Sequence, residues 1–170
     1  KGRTTKDEGG ASEHSSFSLH PASLFFRGHE HAYRSSKDTP LARAFVELGY
    51  TVWRPNFRGV GASEGAHDEG RGEVEDLAAV LKHANAERPV LAGFSFGAAV
   101  QTRLAQIVKP ERMALVGVAV KHLEAVPVPA DTILIHGEED TTVPLSDVLA
   151  WAKPQDLPVV VVPGADHFFH

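Results

Sequence analysis

Beyond residue 39 the chain alternates short apolar runs with amphipathic stretches, and that alternation sets the expected fold. Thr39 suits an N-cap and Pro40 the first position of a helix over 40–48, with Leu41, Ala44, Phe45 and Leu48 on one face and Gly49 as the stop. Residues 50–54 read as a short buried strand, closed by Pro55 and a glycine-rich loop through Gly72. Val74, Leu77, Ala78 and Leu81 recur at helical spacing within 73–86, with charges opposite. The nearly continuous apolar runs 114–120 and 132–136 suit central parallel strands covered on both faces. A helix over 144–152 and a last strand over 158–162 complete the series. Strands and helices in this rhythm predict an α/β fold with a doubly wound, mostly parallel sheet, and the stretch 121–131 is too short for a lid domain.

Residues 1–38 differ in kind. They are polar and poor in aliphatics, and 27–38 crowds His, Arg, Lys and Ser without a period of 2 or 3.6. Residues 1–15 are expected to be disordered, and only 17–26 can form a strand, a weak one. His29-Glu30-His31 offers a histidine pair, but with no third ligand at a recognisable spacing it reads as a solvated loop. The expected division is an atypical, partly disordered segment 1–38 and a folded domain 39–170, whose sheet lacks a normal first strand.

Between the helix 73–86 and the run 114–120 lies Pro89-Val90-Leu91-Ala92-Gly93-Phe94-Ser95-Phe96-Gly97, passing at once into a helical stretch with Ala99, Leu104, Ile107 and Val108 on one face. This is strand, tight turn, helix around Gly-x-Ser-x-Gly, a context that lifts Ser95 above the sheet edge. With 15 glycines in the chain the pattern alone is weak. A second match, Gly61-Ala62-Ser63-Glu64-Gly65, leads into polar, glycine-rich sequence that opens no helix, so Ser63 is expected in a loop.

Composition narrows the function. The 170 residues are 42% hydrophobic and 23% charged, ordinary values for one soluble domain with a sizeable core. A net charge of −5 with no basic block argues against nucleic acid or an anionic membrane as partner. No apolar run reaches membrane-span length and no basic-then-apolar leader is visible, so the expected location is cytoplasmic. The absence of cysteine excludes a catalytic thiol, disulfides and thiolate metal sites.

A serine needs a base within hydrogen-bond reach and a carboxylate to orient that base. In an open parallel sheet both come from loops at the carboxyl ends of strands. Two loops qualify: Gly137-Glu138-Glu139-Asp140-Thr141-Thr142-Val143-Pro144 and Pro163-Gly164-Ala165-Asp166-His167-Phe168-Phe169-His170. Glu138, Glu139, Asp140 and Asp166 are the candidate acids, and His136, His167 and His170 the candidate bases. His136, at the end of a buried strand, reads as a satisfied structural histidine, and Asp166 as a loop hydrogen-bonding residue.

Together with the serine turn and the loop Asn56-Phe57-Arg58-Gly59-Val60-Gly61-Ala62-Ser63-Glu64-Gly65, these segments resemble the α/β-hydrolase superfamily. The closer resemblance is to its small lid-less bacterial hydrolases, related to dienelactone hydrolases and serine aminopeptidases, and it covers residues 40–170. It implies Ser95 as nucleophile, Asp140 as orienting acid and His167 as base, with no cofactor and no metal. It also implies an oxyanion hole with one donor from the Phe96 backbone N–H and a second from a loop after an earlier strand. Here that region, 19–38, has His20-Pro21 but no following Gly-Gly, so the second donor has no name. Because the likeness begins so sharply near Pro40, the first 39 residues are expected to be altered, for instance by a reading-frame error, and the chain to stop short of the helix that follows the histidine in the family.

The activity expected is that of an esterase-like serine hydrolase cleaving a small ester or thioester, or an amide, with a small-molecule acyl substrate. The alternative is an inactive or non-catalytic module of the same fold. Nucleotide binding through Gly59-Val60-Gly61 fails because Glu64 stands where the fingerprint requires Gly or Ala and no helix opens there.

Overall fold

Strands β1 (Ser23–Gly28), β2 (Tyr50–Trp53), β3 (Val90–Phe94), β4 (Arg112–Val116), β5 (Ile133–Gly137) and β6 (Val159–Val162) form one sheet in the order β2-β1-β3-β4-β5-β6. The computed structural model describes residues 23–28, 40–121 and 123–170. Strands β3 to β6 are parallel, whereas β1 runs antiparallel to both β2 and β3. The sheet is therefore mostly parallel, and its first strand is the exception in direction. Of the 17–26 stretch, residues 17–22 lie outside the described residues, as do 1–15 and 29–39.

Helices α1 (Pro40–Glu47), α2 (Arg71–His83), α3 (Phe96–Leu104) and α4 (Leu145–Ala152) cover the sheet. Consecutive strand residues face opposite sides, and Leu91 and Ala92 show it. Leu91, Met113, Leu115 and Leu134 pack with Leu77, Leu81, Val100, Leu104 and Val148 in one core. Ala92 joins Ala42 and Val52 in a second core, with Phe45 packed against it. These two clusters are the physical content of the doubly wound arrangement. The connection from β4 to β5 has no helix among its described residues, so no lid domain stands there.

Several element ends differ from the sequence pattern. Helix α1 stops at Glu47, which leaves Leu48 72% exposed, and it turns Ala42 inward while Ala44 is exposed. Helix α3 stops at Leu104 because Gln106 N–H and Ile107 N–H bond to the carbonyls of Arg103 and Leu104 in tighter turns, and Ile107 leaves the buried face. Strand β4 ends at Val116, after which the chain bends toward the serine turn and Ala119 N–H donates to Ser95 O. Helix α2 starts two residues early, at Arg71, because the Glu73 carboxylate accepts from the N–H groups of Gly70 and Asp68 ahead of it. Among the described residues no helix is long and apolar enough to cross a membrane.

Candidate active site

The turn between β3 and α3 holds Ser95 at φ 51, ψ -117, a conformation that costs a non-glycine residue about 1–3 kcal/mol. The fold supports it: Ser95 N–H donates to Val116 O at 2.9 Å, and Ser95 O accepts from Ala99 N–H at 3.2 Å. A Cβ on Gly93 would lie 2.7 Å from the backbone of Gly97 and Ala98, so strand and helix approach as closely as they do only because that position is glycine.

The strand-end loops bring two more groups to Ser95. His167 Nε2 lies 2.9 Å from Ser95 Oγ, and His167 Nδ1 lies 2.6 Å from Asp140 Oδ2. A carboxylate can only accept, so Nδ1 carries the proton and Nε2 is left to accept from the serine hydroxyl. Asp140 is fixed in turn: its Oδ1 accepts from the N–H groups of Thr142 at 2.9 Å and Val143 at 2.8 Å. Asp140 and His167 are both buried, and the imidazole packs against the rings of Phe94 and Phe168, which also touch each other.

The remaining candidates stay outside this hydrogen-bonded chain, although His136 Nε2 comes within 3.4 Å of Asp140 Oδ2. Glu138 does not simply face solvent, since its Oε2 accepts from Gly164 N–H at 2.9 Å and ties the acid loop to the histidine loop. Glu139 is exposed. Asp166 caps its own loop, accepting from Phe168 N–H at 2.8 Å and His170 N–H at 3.0 Å; those bonds, the one from His170 foremost, hold its carboxyl below the usual range. The His170 side chain is 81% exposed and faces Asp166. His136 is fully buried and only half satisfied: Nε2 donates to Val143 O at 2.8 Å, while Nδ1 has no partner among the described residues. Ser63 lies in a loop, its hydroxyl donating to Asn56 O at 3.3 Å. His29 and His31 lie outside the described residues, and among those described no group of three or more His, Asp or Glu side chains could hold a metal ion.

Phe96 opens α3, so its N–H lies in the first turn, directly after Ser95. The second donor was expected from a loop after an earlier strand, but β1 runs the wrong way for this. Ser23 pairs with Gly93 near the serine, while Gly28, where the following loop departs, pairs with Tyr50. No second donor is placed among the described residues.

A cavity of about 880 Å³ opens over Ser95 and His167, walled by Phe57, Val60, Phe94, Phe96 and Phe168. Its wall also contains a pair that sequence reasoning missed. Glu73 is fully buried, and His67 Nδ1 lies 2.9 Å from its Oε1. The available signal was a glutamate three residues after the helix N-cap, the spacing of a capping box. Arg58 closes the same loop onto α2, with Nη2 2.8 Å from Asp76 Oδ1 and Nε 3.1 Å from Asp76 Oδ2.

Comparison with known proteins agrees with this architecture. The model of a family described as alpha/beta hydrolase fold matches residues 28–124, beginning inside the segment that composition set apart. An α/β serine hydrolase homologue from Coxiella burnetii is 41% identical, with a TM-score of 0.66 over 76% of this chain and 67% of that one. An α/β serine hydrolase without a lid from Xanthomonas campestris is 39% identical, with a TM-score of 0.69 over 76% of this chain and 63% of that one. An uncharacterized protein of Rickettsia prowazekii is 32% identical over 155 residues, and the chain spans 61% of its length. With the family match covering more than half of the sequence, and with the strand-turn-helix and sheet order described above, the chain belongs to the α/β-hydrolase fold family.

Proposed function

We propose that the protein is a serine hydrolase that cleaves a small ester or thioester, and secondarily an amide, by acyl transfer. The observation that carries this reading is the hydrogen-bonded chain Ser95 Oγ, His167 Nε2, His167 Nδ1, Asp140 Oδ2, opening on a cavity whose lining includes the aromatic rings Phe57, Phe94, Phe96 and Phe168. Ser95 Oγ attacks the carbonyl carbon while His167 Nε2 takes the hydroxyl proton, and Asp140 stabilises the imidazolium and holds its orientation. The oxyanion is met by Phe96 N–H. His167 returns the proton to the leaving oxygen, sulfur or nitrogen; water then enters by the same route and releases the acid, regenerating Ser95. The names of the similar structures support hydrolysis as the reaction class.

A fluorophosphonate probe should label the protein covalently, and Ser95→Ala should abolish the labelling. Labelling that survives in Ser95→Ala, or a wild-type protein that is never labelled, overturns the reading. One observation favours a second reading, a non-catalytic module of this fold: β1 is antiparallel to β3, so Ser23 and not its last residue Gly28 lies opposite Gly93 near Ser95. Loss of one oxyanion donor costs about two to three orders of magnitude in rate. The second reading predicts a folded protein with no labelling and no turnover of p-nitrophenyl acetate.

A further inference from the structure

We propose that Arg103 makes part of the serine cavity a subsite for a carboxylate, so that the preferred substrate is a monoester or monothioester of a dicarboxylic acid. This deepens the acyl-transfer reading and rests on it. Arg58, Arg71, Arg103 and Lys121 all line the cavity that contains Ser95. Three of them are neutralised within the chain. Arg58 pairs with Asp76 at 2.8 Å and Glu75 at 3.4 Å, Arg71 with Asp68 at 2.9 Å and Glu69 at 3.4 Å, and Lys121 with Asp147 at 2.8 Å.

Arg103 is different. Among the described residues no carboxylate lies within ion-pair distance of it. Backbone carbonyls hold it instead: Nη1 donates to Glu69 O at 3.3 Å and Nη2 donates to Leu123 O. Two neutral acceptors orient the guanidinium without cancelling its charge, and three of its five N–H donors are left over. A planar cation fixed in this way is prepared for a carboxylate, which it can meet with two parallel, charge-assisted bonds. A polar but uncharged substrate group would gain much less from it.

The helix sets the spacing. Arg103 follows Ser95 by eight residues along α3, a rise of about 12 Å at 1.5 Å per residue. The arginine side chain spans part of that length, so several methylenes between the reacting carbonyl and the carboxylate fit better than a short diacid. Glu124 also lines the cavity and directly follows Leu123, whose carbonyl holds the guanidinium. Its exposed carboxylate is the competitor within the chain, and its removal should strengthen binding of an external anion.

The test is calorimetric titration of the Ser95→Ala protein with the monomethyl esters of adipic, suberic and sebacic acid. The matching ester amides, with carboxamide in place of carboxylate, serve as neutral controls. The acid of optimal length should bind about ten- to a hundredfold more tightly than its amide, and added salt should shrink the difference. Arg103→Gln should abolish the discrimination, Arg103→Lys should restore part of it, and Glu124→Gln should widen it. Equal binding of acid and amide, binding of neither, or discrimination that survives Arg103→Gln overturns the proposal. Salt dependence and Glu124→Gln keep the test decisive if the Arg103 variants fold poorly. The titrated protein has no nucleophile, so failure of the subsite is distinguishable from failure of acyl transfer. A wild-type protein that prefers the acid but is never labelled by fluorophosphonate keeps the subsite and loses the reaction.

Discussion

A Cβ added to Gly137 would stand 2.4 Å from the carbonyl oxygen of Ala165, so the acid loop and the histidine loop pass each other at a separation that glycine alone permits. Asp140 lies three residues after one of these positions and His167 two after the other, and the close passage is what lets Oδ2 and Nδ1 meet at 2.6 Å. Gly137→Ala must push the loops apart. It should destabilise the protein by about 1–3 kcal/mol, as overpacking does, and slow fluorophosphonate labelling of Ser95. A melting temperature and labelling rate equal to those of the parent would show that the backbones have slack.

The serine position stores strain, and two variants read it. Both Ser95→Ala and Ser95→Gly remove the hydroxyl, but only glycine occupies φ 51, ψ -117 at little cost. Ser95→Gly should be more stable than Ser95→Ala by about 1 kcal/mol, measured by urea denaturation. The reverse order would mean that the turn is unstrained.

Acid sensitivity should trace to Arg58 and Asp76. The hydrogen bond from the Arg58 side chain, more than any other contact, holds the Asp76 carboxyl below the usual carboxylate range. Its folded-state pKa is thus depressed, so its contribution is present above the unfolded value and is lost as pH falls through the folded one. Asp76→Asn should be less stable than the parent at neutral pH, and should lose less stability on acidification below about pH 4. Urea midpoints measured across that range check both; parallel curves for the two proteins would remove the pair from the account of acid unfolding.

Glu73 should prove costly to remove. Its buried carboxylate accepts from Asp68 N–H at 2.9 Å and Gly70 N–H at 2.8 Å and faces His67. Glu73→Ala orphans these donors at about 1–3 kcal/mol for each that stays buried, and frees the His67 ring at the cavity wall. A lowered denaturation midpoint is the expected result, and one unchanged within error would mean that water replaces the carboxylate.

Much of this architecture is written locally. The helical spacing of Leu77 and Leu81 marked the buried face of α2, and the apolar run ending in Gly-x-Ser-x-Gly marked β3 and the start of α3. The chain order Ser95, Asp140, His167 was also readable, because each stands in a strand-end loop with its own local signature. Element ends were less legible. Ile107 and Leu48 continue an apolar period in sequence, but tighter turn bonds close α3 at Gln106 and Ile107, and Leu48, although its N–H still bonds to Ala44 O, is left exposed at the end of α1. His136 reads as an ordinary buried histidine, and nothing local reveals that one nitrogen bonds Val143 O while the other finds no partner among the described residues.

The sequence by itself determined the rhythm of strands and helices, the strained serine turn and the order of the three groups that meet there. These depend on side-chain periodicity and on backbone preferences within a few residues. Only the tertiary structure decided that β1 enters the sheet antiparallel, that Glu138 and Gly137 join the acid loop to the histidine loop, and that Arg103 faces carbonyls where the cavity's other Arg and Lys residues face carboxylates. Those outcomes depend on which distant segments come together, and a charge or a strand carries no local mark of the partner it will meet.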